Sequence, residues 1–360
     1  MSRHHFGARL HDYTLLGYRT LAFENELIRV EVLADKGTDI ISFLHKPSDT
    51  DFMWRRYLGL RPAGVGGHPR GVDEQVFVDG YEGGWQECLP NGGQSVIYKG
   101  AELPFHGELL ASPWTVEVLE DRPDVVSVKF SVQTLRTPFR LEKTLTLRSG
   151  RAVLEIDERL TNLAPEPMDL MWGHHPAFGP PFLDDSCRID LPPCRASTAR
   201  SEPWKGGDIV PSATFDWPMA PRRDGSSRDL SAVYGPESRI ADWVCLSGFS
   251  EGWYGITNGR RKVGFGLRWD SVQFPNLWFW HVWGGMPGYP WYGLNYVCAL
   301  EPWSSWPDGG LLRAIDNGSA LHIAPSSTIE TRLLAVAYSG ATRIHSISES
   351  GEVESASDNP

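Results

Sequence analysis

Val126-Ser127-Val128-Lys129-Phe130-Ser131-Val132-Gln133 alternates apolar and polar side chains, and in the stretch that follows Phe139, Leu141, Leu145 and Leu147 alternate with Arg140, Glu142, Thr144 and Thr146. Successive side chains of a strand point to opposite faces, so this period of two predicts antiparallel sheet with one face in a core and one in water. After the hairpin-type connection Ser149-Gly150-Arg151, Leu154, Ile156 and Leu160 interleave with Glu155, Asp157 and Arg159 as a third strand. Three strands joined by short turns make a meander, and the rest of the chain extends the pattern.

Ile28, Val30 and Val32 predict an earlier strand. Lys262 to Trp269, Leu277 to Val282, Asn295 to Leu300 and Leu333 to Tyr338 predict later ones. No window carries an amphipathic helix of about ten residues or more. The 37 glycines and 27 prolines follow no fixed period, which suits many turns between short elements. No self-similarity appears at the periods of about 20–50 residues that mark solenoids and propellers. The expectation is an all-β chain with residues 1–345 as a single β-sandwich domain, an exposed loop from Pro221 to Arg228, and a mobile polar tail over 346–360.

Composition limits the partners. A net charge of -11 opposes phosphate backbones and anionic lipid, so neither nucleic acid nor membrane is expected. The first residues carry no apolar leader, and no apolar run approaches the roughly 20 residues that span a bilayer. The five cysteines are an odd set without a Cys-x-x-Cys pair, which suits buried thiols in the cytoplasm. Self-association as a homodimer stays open.

Several segments place ionisable groups among apolar ones. In Trp172-Gly173-His174-His175-Pro176 the two histidines should point to opposite faces, so one of them is expected to face a pocket; Pro176 suits a strand leaving the sheet at a rim. A hydrogen-bonded structural histidine is the competing account of that position. His106, in Phe105-His106-Gly107-Glu108, gains weight only from its company. Glu301 follows the apolar run Tyr296-Val297-Cys298-Ala299-Leu300 and precedes Pro302-Trp303. A carboxylate at the end of such a strand should lose solvation, which raises its pKa toward the range useful to a general base; a salt bridge to an arginine is the alternative.

Trp269 to Trp306 is crowded with aromatic rings, whose flat faces and polar edges suit a pyranose. Along Trp278 to Trp283, Trp278 and Trp280 should face one way and Phe279, His281 and Trp283 the other. The loop from Gly83 to Gly93 offers Glu87 and Asn91. There is no phosphate loop, no metal-ligand spacing and no nucleophile elbow.

The ordered set His106-Gly107, His175-Pro176-Ala177-Phe178 and Leu300-Glu301 resembles the aldose 1-epimerase (galactose mutarotase-like) superfamily, over about residues 24 to 338. The likeness is nearest to an uncharacterised bacterial branch with a Gly-Trp-Gln-Glu loop and an Ala-Leu-Glu-Pro ending. The resemblance implies a β-supersandwich with a pocket across one concave sheet, and ring opening of a small-molecule carbohydrate without metal or organic cofactor. By position it makes Glu301 the general base at the anomeric hydroxyl, His175 the general acid at the ring oxygen, and His106 the second histidine on that oxygen. Substrate contacts are expected from Glu87, Asn91, Asp270, Trp280, His281 and Trp303. Members of the family carry an arginine ahead of the first histidine, whereas Tyr81-Glu82-Gly83-Gly84 stands at the local match, which favours an unphosphorylated sugar. Another sugar-active enzyme, including a hydrolase pairing Glu301 with Glu87 or Asp270, and a non-catalytic carbohydrate-binding protein are the alternative readings.

Overall fold

The computed structural model describes residues 7–64, 74–110, 112–198, 207–307 and 309–356. The alternating stretch forms neighbouring strands Val125–Gln133, Phe139–Arg148 and Val153–Asn162 of an eight-stranded antiparallel sheet, as its pattern predicts. Val128 pairs with Leu145 and Leu145 with Ile156, so one face of this sheet presents a continuous apolar row. That face packs on a second, twelve-stranded sheet. Phe265 of the smaller sheet meets Phe43 and Phe178 of the larger at ring-centroid distances of 5.3 and 4.9 Å, and all three are fully buried. Close-packed contacts of this kind make truncation expensive, about 3–5 kcal/mol for a buried Phe to Ala. The architecture is a galactose mutarotase-like β-sandwich of antiparallel sheets.

The centre of the larger sheet positions the site. Trp85–Cys88, Gly173–Phe178, Tyr296–Trp303, Asn276–Trp283 and Ile240–Ser247 follow one another by hydrogen bonding. The α-helices among the described residues are Glu74–Gly80 and Leu311–Asp316, and no helix there is long and apolar enough to cross a membrane. All five cysteines are buried thiols.

Four local expectations change. Gly173–Phe178 is an interior strand, so His174, His175 and Pro176 do not leave the sheet at a rim. The strand expected to end at Leu300 runs on to Trp303, which puts Glu301 inside it rather than at its end. Pro221 to Arg228 is exposed over 223–227 as expected, but it is a hairpin tip whose last member, Arg228, is buried against Asp208 and Asp242. In place of a mobile tail from 346, Ile344–Ile347 pairs with Val353–Ser355, because buried Ile344 and Ile347 pack with Trp253, Val336 and Tyr338. Residues 357–360 of that expected tail lie outside the described residues.

Candidate active site

Strand register brings the acid and base candidates together. Gly173 pairs with Trp303 and Ala177 with Ala299, which sets His175 directly opposite Glu301. Pro176 and Pro302, which have no N–H to give, sit where the pairing between these two strands lapses. Side chains directly opposite in an antiparallel pair share a face. His175 Nε2 accordingly lies 3.4 Å from Glu301 Oε1. Trp278 is the partner of Glu301 on the other flank and Trp280 the partner of Ala299, so their rings rise on this same face.

These side chains line a pocket, together with Tyr81, Phe77, Val78, Phe105, His106, Trp243, Met286, Trp291, Gly93 and Glu74. Its walls are aromatic: Trp280 and Trp291 stand 6.0 Å apart by centroid, and Tyr81 is edge-on to His175 at 5.4 Å. Helix Glu74–Gly80 closes one side by turning Phe77 and Val78 inward.

His106 reaches the pocket from a loop built for it. Its backbone is left-handed, at φ 58°, and Gly107 follows at φ 86°. A Cβ on Gly107 would stand 2.2 Å from Leu89 O, so the residue after His106 must be glycine. Gly93 N–H donates to His106 Nδ1 at 3.0 Å, which leaves the ring proton on Nε2. The His106 and His175 rings are 5.6 Å apart.

Burial governs the electrostatics. It lowers the His175 pKa to about 4 and holds His106 well below the usual imidazole value, His175 adding to the effect on His106. Both rings are therefore neutral near pH 7. Burial also pushes the Tyr81 hydroxyl well above its usual value, so it stays protonated. That hydroxyl is 3.3 Å from His175 Nδ1; with the ring hydrogen on Nε2, Tyr81 donates to His175, whose Nε2 faces Glu301.

Of the residues expected to bind substrate, Trp280 lines the pocket and Trp303 touches it indirectly, donating Nε1–H to Glu301 Oε2 at 2.9 Å. The others are placed elsewhere. Glu87 pairs with His174 across the strands, hence on the opposite face, where it accepts from Lys143 Nζ at 2.8 Å and Trp172 Nε1 at 2.7 Å. Asn91 is buried and structural: its Nδ2 donates to Gln94 O and Pro104 O, and its Oδ1 accepts from Leu311 N–H, which braces the loop bearing His106. His281 stacks between Phe279 and Trp283 on the face away from Trp280. Asp270 caps a turn by accepting from Val272 N–H, beside a separate surface groove. With Glu87 and Asp270 both outside the pocket, the two-carboxylate hydrolase loses the partners expected for Glu301.

Tyr81, Trp291 and Phe77 line the pocket without having been singled out as contacts. Tyr81 stands in the Tyr81-Glu82-Gly83-Gly84 stretch, where the missing arginine drew the attention. Among the described residues, Glu87, Glu158 and His174 alone gather enough donor atoms to hold a metal ion. Most of those atoms are already engaged, Lys143 on Glu87, Glu158 Oε2 on His174 Nε2 at 3.1 Å, and Trp85 Nε1–H on His174 Nδ1, while Glu158 Oε1 is buried without a hydrogen-bond partner. The group fits an internal ion-pair network better than a metal centre.

Comparison with known proteins agrees with the fold. Residues 16–335 match the model of the family described as "Domain of unknown function (DUF4432)". Protein LacX of Lactococcus lactis subsp. lactis is 26% identical over 250 residues, 64% of this chain and 74% of LacX. A provisionally named aldose 1-epimerase from Klebsiella pneumoniae superposes with a TM-score of 0.69 at 14% identity, over 89% of this chain and 79% of that one. A galactose mutarotase-like protein from Clostridium acetobutylicum does so with a TM-score of 0.62 at 13% identity, over 93% and 99%. At such identities the likeness is one of fold.

Proposed function

The chain belongs to the family described as a domain of unknown function (DUF4432), and from that premise and the geometry of its pocket we propose that it interconverts the anomers of a free, unphosphorylated aldose by opening and reclosing the ring. The observation that carries this reading is the 3.4 Å approach of His175 Nε2 to Glu301 Oε1 inside an aromatic pocket.

O1 and O5 of a cyclic hemiacetal are both bonded to C1, so a base and a proton donor this close can serve both oxygens. Glu301 removes the O1 proton as the O1 electrons close the C1=O bond. The C1–O5 pair leaves onto O5, whose developing charge the neutral His175 Nε2–H stabilises by hydrogen bonding, and O5 takes up the proton that Glu301 has removed from O1. A neutral imidazole with a lowered pKa is suited to such an electrophilic role. His106 Nε2–H adds a second donor toward O5. Rotation about C1–C2 exposes the other carbonyl face, and reclosure reverses the transfers. Trp280 and Trp291 supply flat apolar faces for the sugar's C–H groups. The described lining residues include Glu74 but no lysine or arginine, which supports a substrate without phosphate.

Polarimetry with a panel of free aldoses tests the proposal. Acceleration of at least one is expected, and its loss in Glu301→Gln. No acceleration of any aldose, or a Glu301→Gln protein as fast as wild type, overturns it; sugar affinity that survives His175→Ala without any turnover would point to a binding protein instead.

A further inference from the structure

We infer that Trp303 is a positioning residue for Glu301, its indole N–H fixing one carboxylate oxygen so that the other is presented to the sugar. The inference rests on Glu301 as the base and extends it to the group that holds the base in place. Trp303 Nε1–H donates to Glu301 Oε2 at 2.9 Å, while Oε1 is the oxygen 3.4 Å from His175. One oxygen is engaged by the scaffold and the other faces the acid candidate.

The scaffold is shaped around this indole. Residues 301 and 303 lie two apart on one strand and share a face. The Trp303 ring stacks on Trp278 at 4.1 Å and 18°, and Trp303 is fully buried. Its other surfaces press on two glycines: a Cβ on Gly173 would come within 2.2 Å of the ring and one on Gly92 within 2.6 Å. Gly173 is also the cross-strand partner of Trp303, so the absent side chain opposite is what admits the ring. A ring held from both sides aims its N–H in one direction, whereas packing alone would need only an apolar side chain of similar size.

The consequence is electrostatic. A hydrogen bond to the ionised carboxylate favours the charged form, so its removal should raise the pKa of Glu301. Titratable groups around Glu301 include His175, His106, Tyr81, Cys88 and, in the same pocket, Glu74. Tyr81 and Cys88 are held well above their usual values and both imidazoles below theirs, so none of these four changes charge near pH 7.

Trp303→Phe keeps an aromatic ring and deletes the donor. The side-chain carboxyl carbon of Glu301, identified by its absence in Glu301→Gln, is followed by carbon-13 NMR through a pH titration. Its midpoint should rise by about one to two pH units in Trp303→Phe. In catalysis the acid limb of kcat/KM should move up equally while KM holds, a change that a purely structural role would not produce. An unchanged midpoint in folded Trp303→Phe overturns the inference, even if no aldose is turned over; a raised midpoint without turnover would sustain it and discard the proposed reaction. Should Trp303→Phe fail to fold, the indole N–H resonance of Trp303 in the unaltered protein decides. It is expected to shift with the Glu301 midpoint and to lose that dependence in Glu301→Gln; a resonance flat across the Glu301 titration overturns the inference.

Discussion

One strand, Gly173–Phe178, supplies neighbouring histidines to two different worlds. His175 points to the pocket face with Glu301; His174 points into the sandwich with Glu87, Lys143 and Glu158. Exposure does not separate the two sets: His174 is 2% and His175 5% exposed, Glu87 3% and Glu301 2%. What separates them is how their polar atoms are engaged. On the inner side two cross-strand pairs, Glu87 with His174 from the larger sheet and Lys143 with Glu158 from the smaller, meet across the core. Lys143 binds Glu87 and His174 binds Glu158, so the four side chains form a ring of contacts in which Glu158 Oε1 is left without a hydrogen-bond partner. Burial would raise the pKa of Glu87, but Lys143 and His174 hold it below its usual value; burial and Glu87 together hold Glu158 above its own. On the outer side the acid and base candidates face a cavity. Burial with closure holds a fold together, and burial beside free volume leaves groups that can still exchange protons with a guest.

Breaking each side should break a different property. The largest effect belongs to the pocket face: Glu301→Gln should lower kcat/KM for the accepted aldose by about 10²–10⁴-fold while leaving the unfolding midpoint nearly unchanged. The inner face should answer in stability. Lys143→Met leaves the Glu87 carboxylate buried without its cation, and a loss of about 3–5 kcal/mol in denaturant unfolding is expected, with activity per folded molecule retained.

A smaller effect sharpens the contrast through pH. His175 has a folded pKa of about 4 against an ordinary 6.5, so on acidification the unfolded chain takes up its proton first. Its contribution is complete above about pH 6.5 and is lost as pH falls toward 4, at most roughly 3 kcal/mol. His106 and His281, both lowered by burial, act in the same direction. Asp242, raised by burial to about 6, works against them. Unfolding free energy should therefore fall between pH 6.5 and 4.5, and His175→Gln should flatten part of that slope. The smallest effect tests the excluded residues: Asp270→Asn should leave aldose turnover as it was, because Asp270 caps a turn outside the pocket.

Much of this arrangement was legible beforehand. The period of two in 126–147 fixes which side chains of the smaller sheet face inward. Continued to 160, the same period contains half of the inner network, since Lys143 and Glu158 occupy inward positions of otherwise apolar rows; the pairing of those two strands, which is not written in either one, reveals why. The histidine, histidine and glutamate set was legible as an ordered group of motifs, and Trp280 as a member of one alternating row. Asn91 was misplaced because its amide is taken up in bracing a loop, and Glu87 and His281 for a single reason. Alternation says that neighbours differ in face but not which face meets the cavity, and that phase is set by the partner strand. Asp270 lies on a turn of the other sheet, a separation that no local pattern encodes. Tyr81 and Trp291 come from loops whose path depends on tertiary packing.

The most direct test of the central claim is a crystal structure of Glu301→Gln with an accepted aldose bound. The account predicts the sugar against Trp280 and Trp291, with O1 within hydrogen-bond distance of residue 301 and O5 within reach of His175 Nε2. A sugar seated with C1 and its oxygens away from both residues, or bound only outside this pocket, would contradict it.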